Sequence, residues 1–206
     1  MDLLSGPILN WRWKIWIESY KRFLKTSVSF NYDCLFEHIL FDCRIKYHRL
    51  HNVDKSIIRV FKPHGSADFD LCGITSGKLS YPLCVWSKMN NFPLKILSSE
   101  NYLDTPSEPV IVLPYESNPY SNYQWVAPGY RIFGNIAPNL THLVFIGLSY
   151  HQADRREIDH FLFSTSKDCL IIVADPFPPK DFVNIIKKSG LELQVWKNGP
   201  QDLPLR

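Results

Sequence analysis

The chain contains no C-x-x-C pair, and its five cysteines, Cys34, Cys43, Cys72, Cys84 and Cys169, stand singly and are odd in number. That argues against both a disulfide framework and a zinc ribbon, and leaves reduced thiols as the simplest reading. The histidines at 38, 48, 51, 142, 151 and 160 share no metal-ligand spacing, so no metal is expected. There is no apolar run long enough to cross a bilayer, and no basic leader followed by an uninterrupted apolar stretch. A large surplus of one charge is also missing. The net charge of +3 and pI near 8.5 fall short of the clustered basic surface that nucleic-acid binding requires. No internal repeat is present. These absences point to a cytoplasmic protein with neither membrane nor nucleic acid as partner.

What is present suits a packed domain. Hydrophobic residues make up 45% of the 206 positions and charged ones 21%, enough to bury a core as one domain spanning residues 1–206. Leu9, Trp13, Trp16, Tyr20 and Phe23 recur at spacings of four and three with Arg12, Lys14, Glu18, Lys21, Arg22 and Lys25 between them. The spacing predicts an amphipathic helix within residues 1–26, with Pro7 in its first turn and the aromatic stripe turned toward a sheet. Strands are expected at Val28–Phe30, Ile57–Phe61, Val110–Leu113, Cys169–Val173 and Leu193–Trp196. Helices are expected at Cys34–Cys43, Arg155–Phe163 and Asp181–Lys188, the last closed by Gly190. Residues 66–108, rich in Ser, Gly and Pro, read as an irregular insertion with short hairpins. Pro128, Gly129, Gly134 and Pro138 predict a short or broken helix, because a proline inside a helix costs roughly 3 kcal/mol. Alternation of continuous apolar strands with helices predicts a three-layer α/β fold around a mostly parallel sheet.

Three strands run into polar turns: Ser27-Val28-Ser29-Phe30-Asn31-Tyr32-Asp33, Phe61-Lys62-Pro63-His64-Gly65-Ser66 and Leu143-Val144-Phe145-Ile146-Gly147-Leu148-Ser149. Polar groups at strand ends are where open α/β sheets place their ligand sites, so one shared cleft is expected, with the strands near Val28, Ile58, Val144 and Ile171 side by side. The order Asn31-Tyr32-Asp33, His64-Gly65-Ser66, Gly147-Leu148-Ser149 and then Asp154 resembles the sirtuin-like NAD-consuming family over about Ser27 to Asp175. The resemblance implies a Rossmann-like fold. That family opens with a strand and a Gly-Ala-Gly-type phosphate turn, and no such segment precedes Asn31, so an N-terminally incomplete version is expected. Its protein-deacylating members carry a four-cysteine zinc module after His-Gly, where this chain has only Cys72 and Cys84, which makes peptide deacylation a poor fit.

The resemblance further implies attack on the bond joining nicotinamide to ribose in NAD, the only small molecule called for. Asn31 then positions a ribose hydroxyl or a water, Asp33 contacts the nicotinamide end, and His64 acts as general base. Gly147 and Ser149 bind the ribose-phosphate portion, and Asp175 accepts from the adenosine ribose. The implied activity is NAD hydrolysis to nicotinamide and ADP-ribose, as in bacterial antiviral defence. Other readings stay open: an inactive ligand-sensing or protein-interaction module, or a fragment completed by another segment, with a second copy or a partner protein as companion. Locally, Asn31 and Asp33 also suit capping of the helix near Cys34, His64-Gly65-Ser66 suits a tight turn, and Asp154 and Asp159 suit a helix surface. Glu37 also invites reading as one of a pair of acids. Cys34 has no sequence neighbour to activate it as a nucleophile.

Overall fold

A computed structural model describes residues 11–49, 57–71, 94–96, 110–111 and 125–199, so Pro7, Leu9, Cys72, Cys84 and Leu113 lie outside the described residues. The chain divides into two compact units, residues 25–131 and residues 1–24 with 132–206. Both are α/β with parallel sheets.

In the 25–131 unit, β1 (Thr26–Val28), β2 (Tyr47–His48) and β3 (Ile58–Phe61) form a parallel sheet of order β1-β3-β2. The helix predicted over Cys34–Cys43 forms at Leu35–Asp42. Ile39 and Cys43 are buried as the periodicity requires, but Leu35 is exposed and Glu37 is buried in its place. The insertion begins with β4 (Gly65–Ser66), β5 (Phe69–Leu71) and β6 (Leu94–Ile96), followed by β7 (Val110–Ile111). These pair antiparallel, β4 with β7 and β5 with β6.

In the other unit, β8 (His142–Ile146), β9 (Leu170–Ala174) and β10 (Leu193–Trp196) make a parallel sheet of order β10-β9-β8. Central β9 is the most buried strand, and its unbroken Leu-Ile-Ile-Val-Ala sequence follows from having both faces covered. On one face Ile172, Ala174 and Trp196 pack against Trp13, Val144 and Leu170. Trp13 comes from the N-terminal helix Arg12–Tyr20, whose buried residue is Ile17; of the expected stripe, Trp13 packs on the sheet, whereas Phe23 is exposed. The opposite face carries Phe145, whose ring meets Phe182 at 4.8 Å. Phe182 and Ile186, one turn apart, are the buried residues of the helix Lys180–Ser189, which ends on Gly190 at φ 76°, a left-handed position suited to glycine. The helix Gln152–Phe163 buries Glu157, Ile158, Phe161 and Leu162. No helix among the described residues is long and apolar enough to cross a membrane.

One expectation holds in part and one needs correction. Of the four strands expected side by side, β1 does pair with β3 (Val28 opposite Phe61) and β8 with β9 (Val144 opposite Ile172), each couple in its own sheet among the described residues. The segment expected to hold a short or broken helix forms an unbroken one of 11 residues, Val126–Ile136, followed by a 3₁₀ turn at Ala137–Asn139. Pro128 falls in its first turn, where a missing N–H breaks no helical bond, and Pro138 falls beyond its end. Gly129 has a packing reason, since a Cβ there would stand 2.3–2.7 Å from ring carbons of Phe61. Gly129→Ala therefore lowers stability by about 1–3 kcal/mol through overpacking, although alanine is the better helix former. Urea denaturation checks this: Gly129→Ala combined with Phe61→Leu recovers much of the loss, and a neutral Gly129→Ala would contradict the packing argument.

Candidate functional site

β1 and β3 end at the same level. Val28 is opposite Phe61, and the next amide, Ser29 N–H, donates to the Phe61 carbonyl at 2.9 Å. Two parallel strands that stop together deliver their following turns side by side. The turn after β3 is Lys62-Pro63-His64-Gly65, closed by Gly65 N–H donating to Lys62 O at 3.1 Å. Proline at its second place supplies the required φ, and Gly65 then takes φ 84°, left-handed backbone that glycine adopts without strain.

The turn after β1 is bound to this one. The Tyr32 carbonyl accepts from Ala67 N–H at 2.8 Å and from the Ser66 hydroxyl at 3.3 Å. The His64 ring meets Phe30 edge-on at 5.1 Å and lies 6.4 Å from Tyr32. The Asn31-Tyr32-Asp33 and His64-Gly65-Ser66 motifs are thus neighbours, as expected. Asn31 is exposed, and its side chain has no hydrogen-bond partner among the described residues. His64 is only 2% exposed. Asp33 fills the local role anticipated for it: its Oδ1 accepts from Leu35 N–H at 2.9 Å at the start of the helix. Cys34 Sγ sits 3.7 Å from Ser66 Oγ. Burial pushes its thiol above the ordinary value, the Ser66 hydrogen bond pulls the other way, and Asp68 and Glu37 raise it further. It stays protonated at neutral pH, unsuited to nucleophilic attack.

Beneath these turns lies a buried charge network that sequence reading missed. Lys62 Nζ stands 3.2 Å from Glu37 Oε1 and also donates to the Asp33 carbonyl oxygen. Arg49 Nη1 pairs with Asp68 Oδ2 and stands 3.8 Å from Glu37 Oε1. Burial draws the Arg49 guanidinium pKa down, but the charge and hydrogen bond of Asp68 outweigh it and the net shift is upward. Glu37 Oε2 and Asp68 Oδ1 are buried without a hydrogen-bond partner among the described residues, a costly state. The available signal was register. Lys62 falls on the buried face of β3 in step with Ile58 and Val60, and Glu37 lies three residues before buried Leu40 on its helix.

In the second unit the remaining candidates also sit at strand ends. Gly147 N–H donates to Ala174 O at 3.2 Å, extending the β8–β9 ladder by one step. Its φ of 58° then turns the chain toward Gln152–Phe163, leaving Gly147 and Ser149 exposed. Asp175 follows β9 directly, and its Oδ1 accepts from Phe177 N–H at 2.6 Å. Tyr150, also in left-handed backbone at φ 49°, donates its hydroxyl to Asp159 Oδ1 at 2.7 Å, and the Arg155 guanidinium lies 4.8 Å from its ring centre. Asp159 is therefore committed to Tyr150 rather than to a catalytic pair of acids. No family model and no curated protein matches the chain.

The Tyr150 phenol is held above its ordinary value, first by burial, then by its hydrogen bond to Asp159 and that residue's charge, with Arg155 opposing. A phenol that holds its proton more tightly folded than unfolded contributes stability below its unfolded pKa of about 10 and loses it as pH rises further. Tyr150→Phe costs about 1.5–3 kcal/mol at neutral pH, the range for a hydrogen bond to a charged partner. It also flattens the decline above about pH 10. Urea midpoints measured from pH 7 upward test both effects, and an unchanged alkaline slope would contradict the assignment.

Proposed function

We propose that this chain is a sirtuin-like NAD-binding domain that hydrolyses NAD to nicotinamide and ADP-ribose, the activity by which bacterial defence proteins deplete NAD during infection. The supporting observation is the junction of two motif turns at the ends of adjacent parallel strands: the Tyr32 carbonyl accepts from Ala67 N–H and Ser66 Oγ. The bond from ribose C1′ to the nicotinamide nitrogen breaks, leaving its electron pair on nicotinamide, and a water oxygen bonds to C1′. His64 takes the proton the water sheds. Asn31, exposed and unengaged, offers both a donor and an acceptor to a ribose hydroxyl or the water. The Asp33 carboxylate, one oxygen of which caps the helix, faces the nicotinamide end with its remaining acceptor capacity. Gly147 and Ser149 take the ribose-phosphate role that the resemblance implies, and Asp175 the adenosine ribose role.

A second reading, a fragment that gains activity only when completed by another segment, is favoured by the strand edges. Among the described residues β1 and β8 each have one strand neighbour. β8, His-Leu-Val-Phe-Ile, also lacks the lysine or proline with which proteins commonly protect a free edge. On this reading the pyrophosphate grip comes with the added strand and its glycine turn. Loss of orientation then keeps the isolated chain weak, because positioning supplies roughly 7–11 kcal/mol of a barrier.

Nicotinamide release from NAD by the purified chain, with and without an added segment carrying a strand and a Gly-x-Gly turn, separates these readings. Release is expected to be weak alone and strong when completed. Asn31→Ala or His64→Ala abolishes it without unfolding the protein, while Cys34→Ser leaves it largely intact. No release even with the turn supplied would overturn the hydrolase reading in favour of a non-catalytic module.

A further inference from the structure

We propose that Lys62 is a positioning residue: its ammonium is the tether that holds the Asn31–Asp33 turn in register with the His64 turn. The inference rests on reading those two turns as one site, and its main readout is independent of that reading. The Lys62 side chain is 0% exposed, and lysine is almost never fully buried unless paired. Its two partners lie on different elements: Glu37 Oε1, 3.2 Å away on the helix Leu35–Asp42, and the main-chain oxygen of Asp33. Because Lys62 follows β3 directly, one side chain joins the end of that strand, the helix and the turn that carries Asn31.

Fold stability does not account for such a residue. An apolar side chain of similar volume at a buried ion-pair position is often neutral or stabilising once both charges are replaced. What methionine cannot do is donate to the Asp33 carbonyl. The preceding carbonyl, that of Tyr32, is already held by Ala67 N–H and Ser66 Oγ. With Lys62 on Asp33, two successive carbonyls are held by groups of the 62–67 segment. That double attachment fixes the backbone beside Asn31, whose side chain has no described partner to orient it. Pro63 restricts Lys62 to extended backbone, which keeps the ammonium on the buried face shared with Ile58 and Val60.

The test compares Lys62→Met with Lys62→Met/Glu37→Gln in the full chain. The single variant leaves the Glu37 carboxylate buried without its cation, so its urea midpoint falls. The double variant removes both charges, and its midpoint returns close to wild type. Amide hydrogen exchange is then followed by mass spectrometry. A tether predicts at least tenfold faster exchange in residues 31–35 of the double variant, with β9 unchanged. Wild-type exchange at 31–35 in a double variant of recovered stability would overturn the proposal and leave Lys62 as a charge partner of Glu37 alone. Nicotinamide release gives a separate arm, in which the double variant loses at least tenfold in kcat/KM. Absence of release from wild type even with the Gly-x-Gly segment supplied, alongside accelerated exchange in the double variant, overturns the hydrolase reading while supporting the tether.

Discussion

The 25–131 unit depends on opposite charges meeting where water is excluded. Glu37 from a helix and Lys62 from a strand end are both buried and lie 3.2 Å apart, with Arg49 and Asp68 forming a second pair beside them. Removing one member of a buried pair costs about 3–5 kcal/mol, because the survivor stays charged in a poor solvent. The helix, β3 and the Asp33 turn are therefore not free to shift independently. The constraint explains why two short polar turns, each ordinary alone, keep a fixed relation to one another.

The two units apply one construction rule to different ends. In each, two adjacent parallel strands stop at a common level and release polar residues there: Asn31 and His64 after β1 and β3, Ser149 and Asp175 after β8 and β9. Some of these residues also have local work. Asp33 caps a helix and Asp175 closes a short turn, so part of each carboxylate's acceptor capacity is used before any ligand arrives. Asn31 and Ser149 are exposed, which suits groups that meet a ligand, whereas His64 is buried against Phe30.

Much of the fold was legible because it is written in period and punctuation. The apolar Leu170–Ala174 run announces a buried strand, and the Asp181–Lys188 helix is marked by its stop at Gly190. The Val126–Ile136 helix was misjudged because a proline's cost depends on its place, and Pro128 stands in the first turn. The β1–β3 and β8–β9 pairings were legible in the shared strand-to-turn pattern, whereas the places of β2 and β10 were not, since pairing is a nonlocal property that apolar runs alone do not encode. Of the candidate site, adjacency of the Asn31 and His64 turns followed from motif order. The Lys62–Glu37 tether did not, because a charged residue on a buried face looks solvated until its partner, distant in sequence, is known.

The most direct test of the account is a two-dimensional NMR titration of the isotope-labelled chain with NAD, following backbone amides. The account predicts that the amides of Asn31–Asp33 and of His64–Ser66 shift together along one saturation curve. Saturable shifts confined to residues away from both turns, or no shift in either turn at millimolar NAD, would contradict it.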